Sequence, residues 1–199
     1  MMGKIFIVCA PPGAGKTSIT RQVIANDPKI LLSLSHTTRS PRNGEKDGVD
    51  YFFVSENKFE ELSRKQNFIE TAKVYGNYYG TSKAWIKDTL SEGFDILLEI
   101  DRVGAQQIKS NLGNCTTIFV LPPSRGELEN RLTKRGQDSR LEIKTRLSLF
   151  ENEINHLNEF DYVIINANLD DAVNDLITIV RAERLKITAQ SHIINTILR

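Results

Sequence analysis

The chain has 199 residues, is 40% hydrophobic and 26% charged, and carries a formal net charge of +1. That length suits one domain with a substantial core, and the near-neutral balance gives no electrostatic footing for a nucleic-acid or membrane-surface partner. No apolar run approaches the ~20 residues that span a bilayer, the start of the chain lacks a signal-peptide layout, and glycine stands at position 3 where myristoylation needs it at 2; a cytoplasmic protein without membrane contact is expected.

Lys4–Ala10 reads as a buried strand and Lys16–Asn26 as a helix, with the Gly-rich turn Pro11-Pro12-Gly13-Ala14-Gly15 between them. Strand, loop and Gly-Lys-Thr opening a helix form the context in which backbone N–H groups cradle a triphosphate. Lys16 would reach the β/γ oxygens and the Thr17 hydroxyl would ligate Mg²⁺. The pattern G-x-x-x-x-G-K-S/T begins with glycine, but Ala10 stands there, and its methyl group requires a negative φ. The bland alternative is a Gly/Pro turn with a chance Lys-Thr, which the order of the three elements disfavours.

Ile30–Leu34 reads as a short second strand. Between Thr37 and Tyr79 the texture changes to turn residues (Ser40 to Gly48) and short β-type pieces at Tyr51–Val54, Phe68–Glu70 and Asn77–Tyr79, with a helix at Ser55–Lys65 capped by Ser55. This is a small, partly β insert. Arg39 and Arg42, with the hydroxyls of Ser35, Tyr51 and Tyr79, supply two guanidinium forks and several donors suited to a monophosphate. Equally, the arginines can be loop surface, Tyr51 can simply pack, and His36 can pack or bond locally.

Phe94–Ile100 and Thr116–Leu121 are further strands, each followed by a helical pattern, and Tyr162–Ile165 is a last strand before a C-terminal helix. Alternation of strands and helices predicts an α/β fold with a parallel sheet, its phosphate loop at the carboxyl ends of the strands. By two-residue alternation Glu99 and Asp101 would point to one side, beside that loop, unless they only mark the strand's solvated end. Ser124 caps a helix to Lys134, and Leu141–Leu157 is a long helical pattern. Arg131, Arg135 and Arg146 on this segment would close over a triphosphate, or would be part of a solvated face balanced by Glu127, Glu129 and Glu142. Cys9 and Cys115 suggest no disulfide framework, and histidines at 36, 156 and 192 have no metal spacing.

Taken in order, Ala10–Thr17, Ser35-His-Thr-Thr-Arg-Ser-Pro-Arg42, Gly44-Glu45, Asp47–Val54, Tyr79-Gly-Thr81, Glu99-Ile-Asp101, Leu121-Pro-Pro-Ser124 and Arg135-Gly-Gln-Asp-Ser139 resemble the guanylate kinase family. The likeness runs from about Lys4 to the C-terminal helix, and the Ser-His-Thr-Thr-Arg block is its most specific part. It implies a P-loop NTPase-type parallel sheet core flanked by helices, as a single domain 1–199. The core would span about 1–34, 82–122 and 160–199, the GMP-binding insert about 35–81 and the helical lid about 123–159.

The implied activity is ATP + GMP ⇌ ADP + GDP with Mg²⁺, dGMP being a weaker acceptor. By this resemblance Ala10, Pro11, Pro12, Gly13, Ala14, Gly15, Lys16 and Thr17 hold ATP. Ser35, Arg39, Arg42, Tyr51 and Tyr79 hold the GMP phosphate, and Glu70 and Thr81 read the guanine edge. Asp101 lies between the nucleotides and reaches Mg²⁺ through water, and Lys16, Arg135 and Arg146 act in transfer, with Arg131 a weaker match. A carboxylate at Glu70 can accept from guanine N1–H and the exocyclic amine together, a pair adenine lacks.

The chain departs from the family pattern at Ala10, at Arg102-Val103 after the strand acid, and at Asn166-Ala167 where Asn-Asp is common. A non-catalytic interaction module of this family, or a kinase for another small phosphorylated acceptor, would be expected to lack part of this residue set.

Overall fold

A computed structural model describes residues 2–74, 76–136 and 139–198. In chain order its first elements are β1 (Ile5–Cys9), α1 (Lys16–Asn26), β2 (Ile30–Leu32), β3 (His36–Thr37), β4 (Phe52–Phe53) and α2 (Glu56–Arg64). There follow β5 (Phe68–Val74), β6 (Asn77–Ser82), α3 (Lys83–Ser91), β7 (Asp95–Glu99), α4 (Arg102–Leu112) and β8 (Thr116–Leu121). The chain continues through α5 (Arg125–Arg135), α6 (Arg140–Ile154), a 3₁₀ turn (Leu157–Glu159), β9 (Tyr162–Ile165), α7 (Leu169–Leu185) and α8 (Ile187–Ile197). Two compact units divide it: Phe6–Pro28 with Thr116–Arg199, and Met2–Ile5 with Lys29–Cys115.

In the first unit β8 pairs in parallel with β1, Phe6 opposite Thr116, and with β9, Ile118 opposite Tyr162. Every residue of β1 is buried, the signature of a parallel strand covered on both faces. Ala172, Val173, Leu176, Ile179 and Val180 form the apolar stripe of α7, which packs on α1. The N–H and hydroxyl of Thr117 both donate to Asp161 Oδ2, at 2.8 and 2.7 Å, fixing the entry to β9.

Helices α5 and α6 share an apolar cluster of Leu128, Leu132, Ile143, Leu147 and Phe150. Ser124 caps α5 by accepting from Glu127 N. At α6, Ser139 and Glu142 form a reciprocal capping box, with Ser139 N donating to Glu142 Oε2 at 2.7 Å. Helix α8 buries none of its side chains.

In the second unit β2 and β7 pair in parallel, and a separate four-stranded sheet has the order β4-β3-β6-β5. Phe59 of α2 stacks on Phe68 and Tyr78 at 4.7 and 5.5 Å, and His36 packs against Phe52 and Phe68. Ser55 caps α2, as its sequence suggests.

Helix α1 and strands β8 and β9 have the bounds expected from the sequence, whereas β1 and β7 are each shorter by one residue at both ends and β2 by two at its C-terminal end. Strand β5 runs past Glu70 to Val74 because β6 offers it a ladder out to Asn77. The long helical pattern stops at Ile154. One expectation is corrected: Asp101 is not a strand residue alternating with Glu99, because β7 ends at Glu99 and Asp101 is the N-cap of α4.

Candidate active site

After β1 the backbone turns tightly, with Ala14 N donating to Pro11 O at 3.1 Å. Gly13 (φ 91°) and Gly15 (φ 97°) hold left-handed conformations that a side chain would strain. Gln66 is the one non-glycine residue of positive φ among the described residues, so Ala10 meets the condition its methyl group imposes. Gly15 N-caps α1 without any side-chain cap, which leaves the first-turn N–H groups facing outward, a ready anion site. Lys16 is half-buried and Thr17 exposed at this helix start.

Asn166, just past β9, is buried and donates through Nδ2 to Ala14 O at 2.7 Å; a Cβ on Gly15 would lie only 2.2 Å from that nitrogen. The carbonyl of Asn166 accepts in turn from Arg131 at 3.0 Å, and Arg131 Nε donates to Glu127 at 2.9 Å. The phosphate loop is thus braced from β9 and α5, and a Cβ on Gly13 would touch Leu128 and Leu132. Sequence reasoning noted Asn166 only as part of a departure at its neighbour; nothing in its local pattern marks it as a loop brace. Arg135 ends α5 in an exposed position, and Arg146 lies half-buried on α6. Gln137 and Asp138 of the Arg135–Ser139 motif lie outside the described residues.

The second unit gathers another polar set. Arg39 donates to both oxygens of Glu45 at 2.9 Å and to Ser40 O at 2.8 Å, with its guanidinium 5.3 Å above the Tyr51 ring. Burial pulls the Arg39 pKa down, but hydrogen bonds with Glu45 and Tyr79 outweigh it and raise the value overall. Glu45 also accepts from Arg42 N at 2.7 Å, while the Arg42 side chain is exposed. Tyr51 meets Tyr79 edge-on at 6.1 Å, and burial, then the charge of Glu99, raises its pKa. Ser35 is buried beside β3. Glu45 therefore orients both arginine positions, a role the sequence reading did not give it.

Glu70 on β5 is 3% exposed, and Thr81 on β6, its register partner, donates to Glu70 Oε1 at 2.5 Å. Burial pushes the Glu70 carboxyl up to about 7; the Thr81 bond opposes the rise and Asp101 adds to it. Asp101 Oδ1 accepts from Gly104 N at 2.8 Å. A Cβ on Gly104 would stand 3.0 Å from Glu70 Oε2, a tight contact that glycine avoids where α4 begins beside the buried acid.

The guanylate kinase family model matches residues 2–183. The chain belongs to the guanylate kinase family. It is 50% identical over 186 residues to a guanylate kinase of Vibrio vulnificus (strain YJ016), covering 92% of this chain and 90% of that protein. The guanylate kinase of Methylobacillus flagellatus is likewise 50% identical, over 94% of this chain and 92% of that one. The crystal structure of guanylate kinase from Anaplasma phagocytophilum matches with a TM-score of 0.78 and 32% identity, over 93% of this chain and 88% of that chain. The α/β fold follows from this kinship.

Guanylate kinase chemistry asks for a metal, and the donor set suits one delivered with a triphosphate. No cluster of three or more His, Cys, Asp or Glu able to hold an ion exists among the described residues. Mg²⁺ needs none: it keeps several waters and takes one or two protein oxygens besides the phosphates. Thr17 Oγ1, exposed at the start of α1, is an oxygen of that kind.

Proposed function

We infer that this chain transfers the γ-phosphoryl group of ATP to GMP, giving ADP and GDP in purine nucleotide metabolism, and does so in the cytoplasm. The observation that carries the choice of acceptor is the buried Glu70–Thr81 pair. Guanine presents N1–H and an exocyclic amine side by side, and an ionised Glu70 accepts from both. Adenine presents no such pair, so AMP would leave a buried carboxylate unpaired, at a cost of about 1–3 kcal/mol or more for a charged group.

Ser35, Arg39, Arg42, Tyr51 and Tyr79 hold the GMP phosphate. Arg39 is pre-aimed by Glu45, which lowers the entropy cost of binding. The Ala10–Thr17 loop and the α1 N-terminus hold the ATP phosphates, Lys16 spreads charge from the β/γ oxygens, and Arg135 and Arg146 neutralise the transferring group. Mg²⁺ held by Thr17 and, through water, by Asp101 would supply further charge neutralisation. A GMP phosphate oxygen attacks the γ phosphorus in line as the bond to the ADP oxygen breaks. That oxygen is already ionised, so no strong general base is needed. We assign no nucleic-acid or membrane partner, and dGMP is a weaker acceptor; among the described residues no helix is long and apolar enough to cross a membrane.

An ADP-release assay with GMP, AMP, dTMP and ribose bisphosphate as acceptors tests this. A strong rate with GMP and almost none with AMP is expected; a preference for any other acceptor, or no transfer at all from folded protein, refutes it.

A further inference from the structure

Strand β5 is the edge of its sheet, and among the described residues one side of its backbone pairs with no other strand. Unpaired edge groups would ordinarily be left to water. Here α4 supplies the partners from its side chains. Gln107 Oε1 accepts from Thr71 N at 3.0 Å while Gln107 Nε2 donates to Thr71 O at 2.9 Å, the two-way exchange a paired strand residue would make. Four residues on, Asn111 Nδ2 donates to Ile69 O at 2.8 Å.

Ile69 and Thr71 are the two neighbours of Glu70. Gly104, Gln107 and Asn111 recur at i, i+3 and i+7, one face of the helix, so the same face that clamps both neighbours also meets the Glu70 carboxylate. Strand β5 carries a register irregularity between Phe68 and Glu70, which loosens the ladder's own hold on this stretch.

We propose that Gln107 and Asn111 are positioning residues for guanine specificity: through the β5 backbone they fix where the Glu70 carboxylate stands. The inference rests on the reading of Glu70 as the guanine acceptor. A sub-ångström shift of a carboxylate that must meet two donors at once weakens both bonds, and all three clamp hydrogen bonds end on β5 beside Glu70.

Gln107→Met removes both hydrogen bonds at nearly constant chain length. The readouts are KM for GMP, KM for ATP, kcat, and the preference for GMP over inosine monophosphate, which keeps N1–H but lacks the amine. Gln107→Met should raise KM for GMP about tenfold and lower that preference about fivefold, with KM for ATP and kcat within about twofold. In a Glu70→Gln background the same substitution should add nothing, because its target is already gone.

If Gln107→Met only lowers the unfolding midpoint, weakens both substrates alike, or adds its full effect to Glu70→Gln, the positioning role is overturned while Glu70 keeps its own. If Glu70→Gln alone leaves the preference for guanine intact, the reading of Glu70 fails and takes this one with it. Should Gln107→Met not fold, the exposed Asn111→Ala carries the same test, with an expected rise of about threefold in KM for GMP; unchanged KM and preference there overturn the proposal.

Discussion

Thr81 Oγ1 meets Glu70 Oε1 at 2.5 Å, in a place where both residues are shut off from solvent. A hydroxyl can donate to a carboxylate or accept from a carboxylic acid, so the pair is satisfied in either protonation state. Burial makes the neutral state easy to reach, with the Glu70 pKa pushed from 4.5 up to about 7.

The pH dependence of stability follows. An acid whose pKa is higher in the folded chain binds more protons folded than unfolded between the two values. Stability without nucleotide should therefore fall as pH rises from about 4.5 to about 7, by roughly 3 kcal/mol, and level off above. Glu70→Gln should abolish this slope, so urea melts of the variant and the parent at pH 5 and pH 8 provide the check.

Substrate binding should run the other way. If Glu70 accepts from guanine as proposed it must be ionised, so KM for GMP should fall as pH rises through 7. The phosphate of GMP ionises near pH 6 and contributes its own trend. That trend persists in Glu70→Gln, and the difference between the two KM profiles isolates the carboxyl.

Lys16→Ala removes the one side-chain cation that the Gly13–Thr17 loop supplies. Turnover should drop by about two orders of magnitude or more, with the thermal unfolding midpoint unchanged. A rate altered only slightly would remove Lys16 from its role.

Asn166→Ala leaves the carbonyl of Ala14 unpaired in a buried place and frees the loop on one side. A loss of about 1–3 kcal/mol in stability is expected. KM for ATP should rise and KM for GMP should not, as steady-state kinetics with each substrate varied would establish.

Glu45→Ala unfastens the Arg39 fork. Although it deletes a negative charge from an anion site, it should raise KM for GMP severalfold, because an unoriented arginine must be ordered on binding. Arg39→Lys should do worse, about tenfold or more, since a point charge cannot reproduce the fork or its stacking on Tyr51.

Much of this was legible in the chain itself, and for identifiable reasons. Helix α1 and strand β8 carry their own boundary signals in Gly15-Lys16 and in the apolar run Thr116–Leu121. Ser55, Ser124 and Ser139 announce helix starts through local cap chemistry. Strand β3 is two residues long and exists only because β4 and β6 lie on either side, a non-local cause invisible to periodicity.

Asp101 misled because an aspartate after an apolar run serves equally as a strand end or a helix cap; the N–H of Gly104 decides. The backbone-bracing roles of Asn166, Gln107 and Asn111 were not legible for one shared reason. Each is a polar residue that sequence reading assigns to solvent, and each instead satisfies the backbone of an element 36 or more residues away.

The central claim is that this fold phosphorylates GMP because it reads guanine. Equimolar GMP and AMP in one tube with ATP and Mg²⁺, followed by ³¹P NMR, tests it directly. GDP should accumulate while AMP persists. Comparable consumption of AMP, or loss of ATP without GDP, would contradict the account.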